Sequence, residues 1–173
     1  MRWMWIDRII ELKPRERLVA IKHVSLAEEH LHDHFAADAA LGLPAAPTMP
    51  ACFIIEGMAQ SAGILVGHNG AFKEKVVLAK VSRVELTEDA GPGDTLRYSA
   101  TIERLDGMGA QTSGIVELLP PDDPANARTI GKIDLLFSHL DNNMGGVKFP
   151  EHNFVFSDSF RTLLWSSGIE VVF

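Results

Sequence analysis

Cysteine is nearly absent: Cys52 is the only one in 173 residues. That excludes an internal disulfide framework and accords with a reducing compartment, so the cytoplasm is the expected location. Positive charge is also short. The 16 Lys and Arg stand against 23 Asp and Glu, for a formal net charge of -7. The basic residues are scattered, whereas a nucleic-acid surface needs clustered cations facing phosphate, so no nucleic acid is expected as a partner. The acidic balance would also repel an acidic protein unless a local basic patch received it. A long uninterrupted apolar run is missing too. The longest, residues 51–66, carries Glu56, Gln60 and Ser61 and falls short of the ~20 residues a membrane span requires, which predicts a buried soluble helix instead. Arg2, Asp7 and Arg8 break the first ten residues and no small-residue cleavage site follows, so no signal peptide is expected. Internal repeats and low-complexity tracts are absent.

What is present suits a folded enzyme-sized unit. With 46% apolar residues the chain can bury a full core in one domain. Residues 18–26 mix β-branched and polar side chains and predict a first strand. Residues 27–49 hold three histidines, Gly42 and two prolines without a sustained period, the signature of a long and therefore functional loop. Pro50 suits the first position of a helix running to His68. That helix is apolar nearly all round and must be enclosed, with Gly57 and Gly63 allowing close approach of the sheet. Four runs with strand character follow, at 76–86, 95–105, 110–119 and 128–140, separated by turn residues at 91–94, 106–107 and 120–124. Short connections favour antiparallel pairing, so the expectation is an α+β fold in which a meandering sheet wraps one central helix. Residues 1–140 form this domain. Residues 141–173 read as an extension packed on it, with a short helix starting after Ser157 and stopping at Gly168.

Glu56 is the most informative residue, because it interrupts a helix that has to be buried. A buried carboxyl without a partner favours the protonated form, which is the form a general acid needs. Gln60, one turn later on the same face, can orient it. A structural alternative is a buried Glu paired with Arg or with backbone N–H groups. The loop sequence His30-Leu-His-Asp-His34-Phe35 offers side chains that exchange protons near neutrality. Solvated loop histidines and a metal site are the alternatives, the latter disfavoured by the lack of further ligands at defined spacing.

The stretch from His34 to Gln60 resembles the 3-hydroxyacyl-(acyl carrier protein) dehydratases. Their pattern is His-Phe-Pro-Gly, then Pro-x-x-Pro-Gly, then a helix with Glu-Ala-x-Ala-Gln. Here the matches are His34-Phe35, Pro47-Thr48-Met49-Pro50 and Glu56-Gly57-Met58-Ala59-Gln60. Residues 5–12, the strand at 19–25 and Pro92-Gly93-Asp94 also look like the family, so coverage runs over about residues 3–140. The resemblance implies a hot-dog fold, a homodimer that can assemble further into a trimer of dimers, and an active site in which His34 of one subunit faces Glu56 of the other. It implies that His34 removes a C2 proton while Glu56 protonates the leaving hydroxyl. Backbone N–H groups of Ala51 or Cys52 would meet charge on the thioester oxygen. Phe35, Pro47, Met49 and Pro50 would line the substrate entrance, the substrate being a thioester of acyl carrier protein or coenzyme A. No cofactor and no metal are implied. The family branch that also isomerises the double bond carries Asp at the position of Glu56, so dehydration alone is expected. Two departures stand out: Ala36-Ala37 replaces Pro-Gly, and residues 36–46 are an insertion. A hot-dog thioesterase and a non-catalytic acyl-binding homologue are the alternative readings.

Overall fold

A computed structural model describes residues 3–32, 36–140, 146 and 149–170. Six antiparallel strands form one sheet: β1 (Arg8–Lys13), β2 (Arg17–His23), β3 (Val76–Leu86), β4 (Thr95–Asp106), β5 (Gly109–Leu119) and β6 (Arg128–His139). Their spatial order is β1-β2-β4-β5-β6-β3. Among the described residues the helices are α1 (Glu29–His32), a single turn, α2 (Ala51–Asn69) and α3 (Asp158–Ser166). The sheet curls around α2, and the core lies between them: Ile54, Met58, Ile64 and Leu65 of the helix pack with Leu18, Leu96, Tyr98, Ile133 and Leu135 of the strands. This is the hot-dog arrangement the resemblance implied.

The sheet is not the simple meander expected. β3 leaves β4 and pairs with β6 at the far edge, from Val76↔His139 to Leu86↔Gly131. The turn residues at 91–94 suggested a tight hairpin, but the connection covers 87–94 and passes across the start of α2. There Met49 N–H donates to Ala90 O (2.8 Å) and Gly93 N–H to Val24 O (2.9 Å), so the loop is fastened both to the helix entry and to the end of β2. β1 was not expected as a strand. Its apolar and charged residues do not alternate cleanly, and its extended form is fixed by pairing with β2.

Gly57 confirms close packing. A Cβ there would lie 2.6 Å from the Tyr98 ring and hydroxyl and 2.8 Å from Trp5 O. Gly63 does not share this role, because a Cβ would meet only the Phe137 ring at an ordinary 3.5 Å. The two sheet edges differ. The outward N–H of Ile9 on β1 donates to Ser167 Oγ at 3.0 Å, and α3 packs beside that strand. β3 is open, and its Leu78, Val81 and Val84 are 40%, 41% and 39% exposed. An apolar open edge of this length invites another strand.

Candidate active site

α2 is long and apolar enough to cross a bilayer by composition, yet it is the core helix of this fold. One of its stripes escapes full enclosure. Glu56, Ala59, Gln60, Gly63 and Ile64 recur at helical spacing along the line where the sheet opens, so Glu56 is half-buried rather than buried. With Val76–Leu78 of β3, Phe137 of β6, and Val155, Phe156 and Phe160 of the C-terminal segment, this stripe lines a cleft of about 260 Å³. Among the described residues, Glu56 is the only charged one on its walls.

The carboxylate is held from two sides. Its Oε1 accepts from Gln60 Nε2 at 3.1 Å and from Trp3 Nε1 at 3.2 Å. Gln60 is itself buried and saturated: its Oε1 accepts from Trp5 N–H (2.9 Å) and its Nε2 also donates to Trp3 O (3.1 Å). Gln60 is thus hydrogen-bonded to the Glu56 carboxylate, and its amide ties the N-terminal segment to the same point. Trp3 was missed by sequence reasoning. The pair Trp3-Met-Trp5 was the available signal, but nothing in it says which helix it will meet.

At the head of the stripe, Pro50 caps α2 instead of forming its first helical residue, and its carbonyl accepts from Phe53 (2.9 Å) and Ile54 (3.4 Å). The N–H groups of Ala51 and Cys52 have no partner among the described residues, and both residues are exposed. Cys52, Glu56 and Gln60 are spaced by four, so these orphan donors sit one turn ahead of the carboxylate on the same side of the helix. Pro47 and Pro50 are half-buried beside this end. Met49, expected at an entrance, is instead 1% exposed in the core, where a flexible thioether fills the space under the 87–94 connection.

His34 and Phe35 lie outside the described residues, as does the His32 side chain. The segment leading to them is anchored beside the start of α2. His30 meets Trp5 and Phe53 edge-on (5.1 and 5.0 Å between centroids), Trp5 stacks on Phe53 at 3.9 Å, and Leu31 is buried. His30 thus belongs to an aromatic cluster, with Glu28 at 3.9 Å from its Nε2. The insertion at 36–46 forms a compact turn closed by Asp38↔Leu43, with the Asp38 carboxylate accepting from Ala40 and Leu41 N–H and Gly42 at φ 67°. Among the described residues, no three His, Cys, Asp or Glu side chains cluster as metal ligands. A larger groove of about 380 Å³, around Ala79, Met108 and Leu136, carries Gln111, Ser138 and an Arg104–Asp106 pair already joined at 2.8 Å.

Residues 2–118 match the family described as FabA-like domain. The chain belongs to the FabA-like family. The FabA-like match ends within β5, leaving β6 and the C-terminal segment outside it. Among curated relatives, the 3-hydroxyacyl-[acyl-carrier-protein] dehydratase FabZ of Solibacter usitatus is 33% identical over 115 residues, covering 65% of each chain. The match thus spans just under two thirds of that relative's length. Two solved structures share the fold. The dehydratase heterocomplex ApeI:P from Xenorhabdus doucetiae superposes with a TM-score of 0.58 at 16% identity, covering 79% of this chain and 83% of that one. A thioesterase family protein from Silicibacter pomeroyi gives 0.57 at 13% identity, covering 76% and 82%.

Proposed function

We propose that this FabA-like chain is a hydro-lyase that converts a 3-hydroxyacyl thioester to the trans-2-enoyl thioester in fatty acid biosynthesis, as a soluble cytoplasmic enzyme. The observation that carries the reading is Glu56, fixed by Gln60 and Trp3 at one end of an apolar cleft and one turn beyond two unpartnered helix N–H groups. The substrate's tail lies in the cleft and its thioester oxygen faces Ala51 and Cys52. His34 takes the C2 proton, the C2–H electron pair forms the C2=C3 double bond, and the C3–O bond breaks as Glu56 delivers a proton to the departing hydroxyl. Water leaves, and the proton on His34 returns to Glu56 before the next turnover. Each N–H facing the thioester oxygen would lower the barrier by about 3 kcal/mol, as oxyanion donors do elsewhere. Glu56 rather than Asp favours dehydration without isomerisation. Phe35, Pro47 and Pro50 flank the path by which acyl carrier protein or coenzyme A presents the thioester. Neither cofactor nor metal has a step to perform.

The active unit is a homodimer formed by pairing the open β3 edges of two copies, which extends the sheet and covers Leu78, Val81 and Val84. His34 of one copy then works with Glu56 of the other.

The test is incubation of 3-hydroxybutyryl and crotonyl thioesters with wild type, His34→Ala and Glu56→Gln, followed by mass spectrometry. Interconversion by the mass of water, lost by roughly 100-fold or more in both variants, supports the assignment. Release of free thiol would establish a thioesterase, and an unchanged substrate a binding protein.

A further inference from the structure

We propose that the C-terminal segment from Asn153 to Phe160 sets the length of acyl chain that the cleft accepts, with Phe160 and Phe156 as its end wall; this rests on the acyl-thioester reading above. The cleft follows the helix axis. At 1.5 Å per residue, the stretch from Glu56 to Ile64 is about 12 Å long, and Gly67 lies about 16 Å from Glu56. The Phe156 ring sits on Gly67, so close that a Cβ there would collide with its Cζ. Phe156 meets Phe72 edge-on at 4.8 Å and Phe160 at 5.7 Å. The wall is therefore at the end of the stripe remote from the carboxylate.

It is also held in place. Asn153 Nδ2 donates to Phe72 O (2.8 Å) and Glu74 O (2.9 Å), and its Oδ1 accepts from Val155 N–H (3.0 Å). Beyond Phe160, Leu163 and Leu164 are buried in the core. A segment pinned on both flanks resists displacement by a longer tail. An extended chain advances about 1.2 Å per bond, as a fully extended backbone does, so with C3 at Glu56 a stretch of about 12 Å accommodates roughly ten further bonds, an acyl group of about thirteen carbons. Residues 153–160 lie beyond the stretch that matches the family. The proposed limit is thus set by residues outside the stretch that the family model matches.

Calorimetric titration with S-alkyl pantetheine thioethers of four to sixteen carbons, which can be neither hydrolysed nor dehydrated, tests this on wild type, Phe160→Ala, Phe160→Leu and Phe160→Trp. Affinity should rise about fourfold per added methylene while the tail is being buried. In wild type the rise should stop at about thirteen carbons. The break should move at least two methylenes longer in Phe160→Ala, giving about 16-fold tighter binding of the longer ligands than wild type. Phe160→Leu keeps the test open if the alanine variant unfolds, and Phe160→Trp should move the break the other way. A break at the same length in every folded variant overturns the proposal. Crotonyl hydration on the same preparations separates the two readings. A movable break without hydration sinks the dehydratase reading and keeps the wall, hydration with a fixed break does the reverse, and no binding at any length removes both.

Discussion

Gln60 joins stability to chemistry, and Gln60→Leu separates the two. The substitution keeps most of the volume but removes every polar contact. Trp5 N–H then loses its acceptor in a residue that is 4% exposed. A buried donor left unpaired costs about 1–3 kcal/mol, and the lost bond to Trp3 O adds about 0.5–1 kcal/mol because that contact is partly solvated. The sum is about 3 kcal/mol. With a urea dependence of about 2 kcal/mol per molar, the unfolding midpoint should fall by about 1.5 M, measured at fixed protein concentration because the proposed dimer would couple stability to concentration. Gln60→Glu is the informative partner. Its carboxylate still accepts from Trp5 N–H, so the stability loss should be smaller, but it places a second negative charge beside Glu56. Like charges at this spacing drive one carboxyl to hold its proton to higher pH, so the alkaline limb of the rate profile, where the proton-donating form is lost, should move upward. A Gln60→Leu midpoint within about 0.3 M of wild type, equivalent to about 0.6 kcal/mol, would refute the reasoning.

Gly57→Ala should destabilise by about 1–3 kcal/mol through overpacking against Tyr98 and Trp5 O, lowering Tm by several degrees in a thermal melt; an unchanged Tm would mean the helix can shift freely. Burial holds the His68 imidazole below its ordinary value, and its Nδ1 has no hydrogen-bond partner among the described residues. The unfolded chain therefore binds more protons, so stability is complete above about pH 6.5 and declines on acidification below it. Urea titrations at pH 7 and pH 5 should show a smaller loss in His68→Gln than in wild type. Val81→Lys puts a charge in the open edge and should leave a monomer with little activity by sedimentation and turnover assay; an active dimer would move the interface elsewhere.

The helix and the four later strands were legible because each relies on local pattern: β-branched runs, turn residues and one proline at a helix entry. Glu56 and Gln60 were legible for a related reason, since a polar pair in an apolar helix contradicts its surroundings. What escaped depended on distant partners. β1 is extended because β2 lies beside it, and β3 reaches the far edge because the 87–94 connection binds Met49 and Val24. Glu56 was expected to be fully buried, but the opening of the sheet along one stripe is a property of the assembled curvature. Trp3 and Phe160 reach the cleft from opposite ends of the chain, at separations where no periodicity operates.

The unequal edges of the sheet give the molecule a polarity. A strand order closed by Ser167 and α3 at β1 and open at β3 can add one copy of itself across a two-fold axis and then has nothing left to offer, since both outer borders of the doubled sheet are β1. Addition of strands is the same reaction that builds fibrils, and the proposed pairing of β3 edges would end it after a single step. Under that pairing the small helix beside β1 would serve as a stopper on polymerisation, a task separate from anything that happens at Glu56.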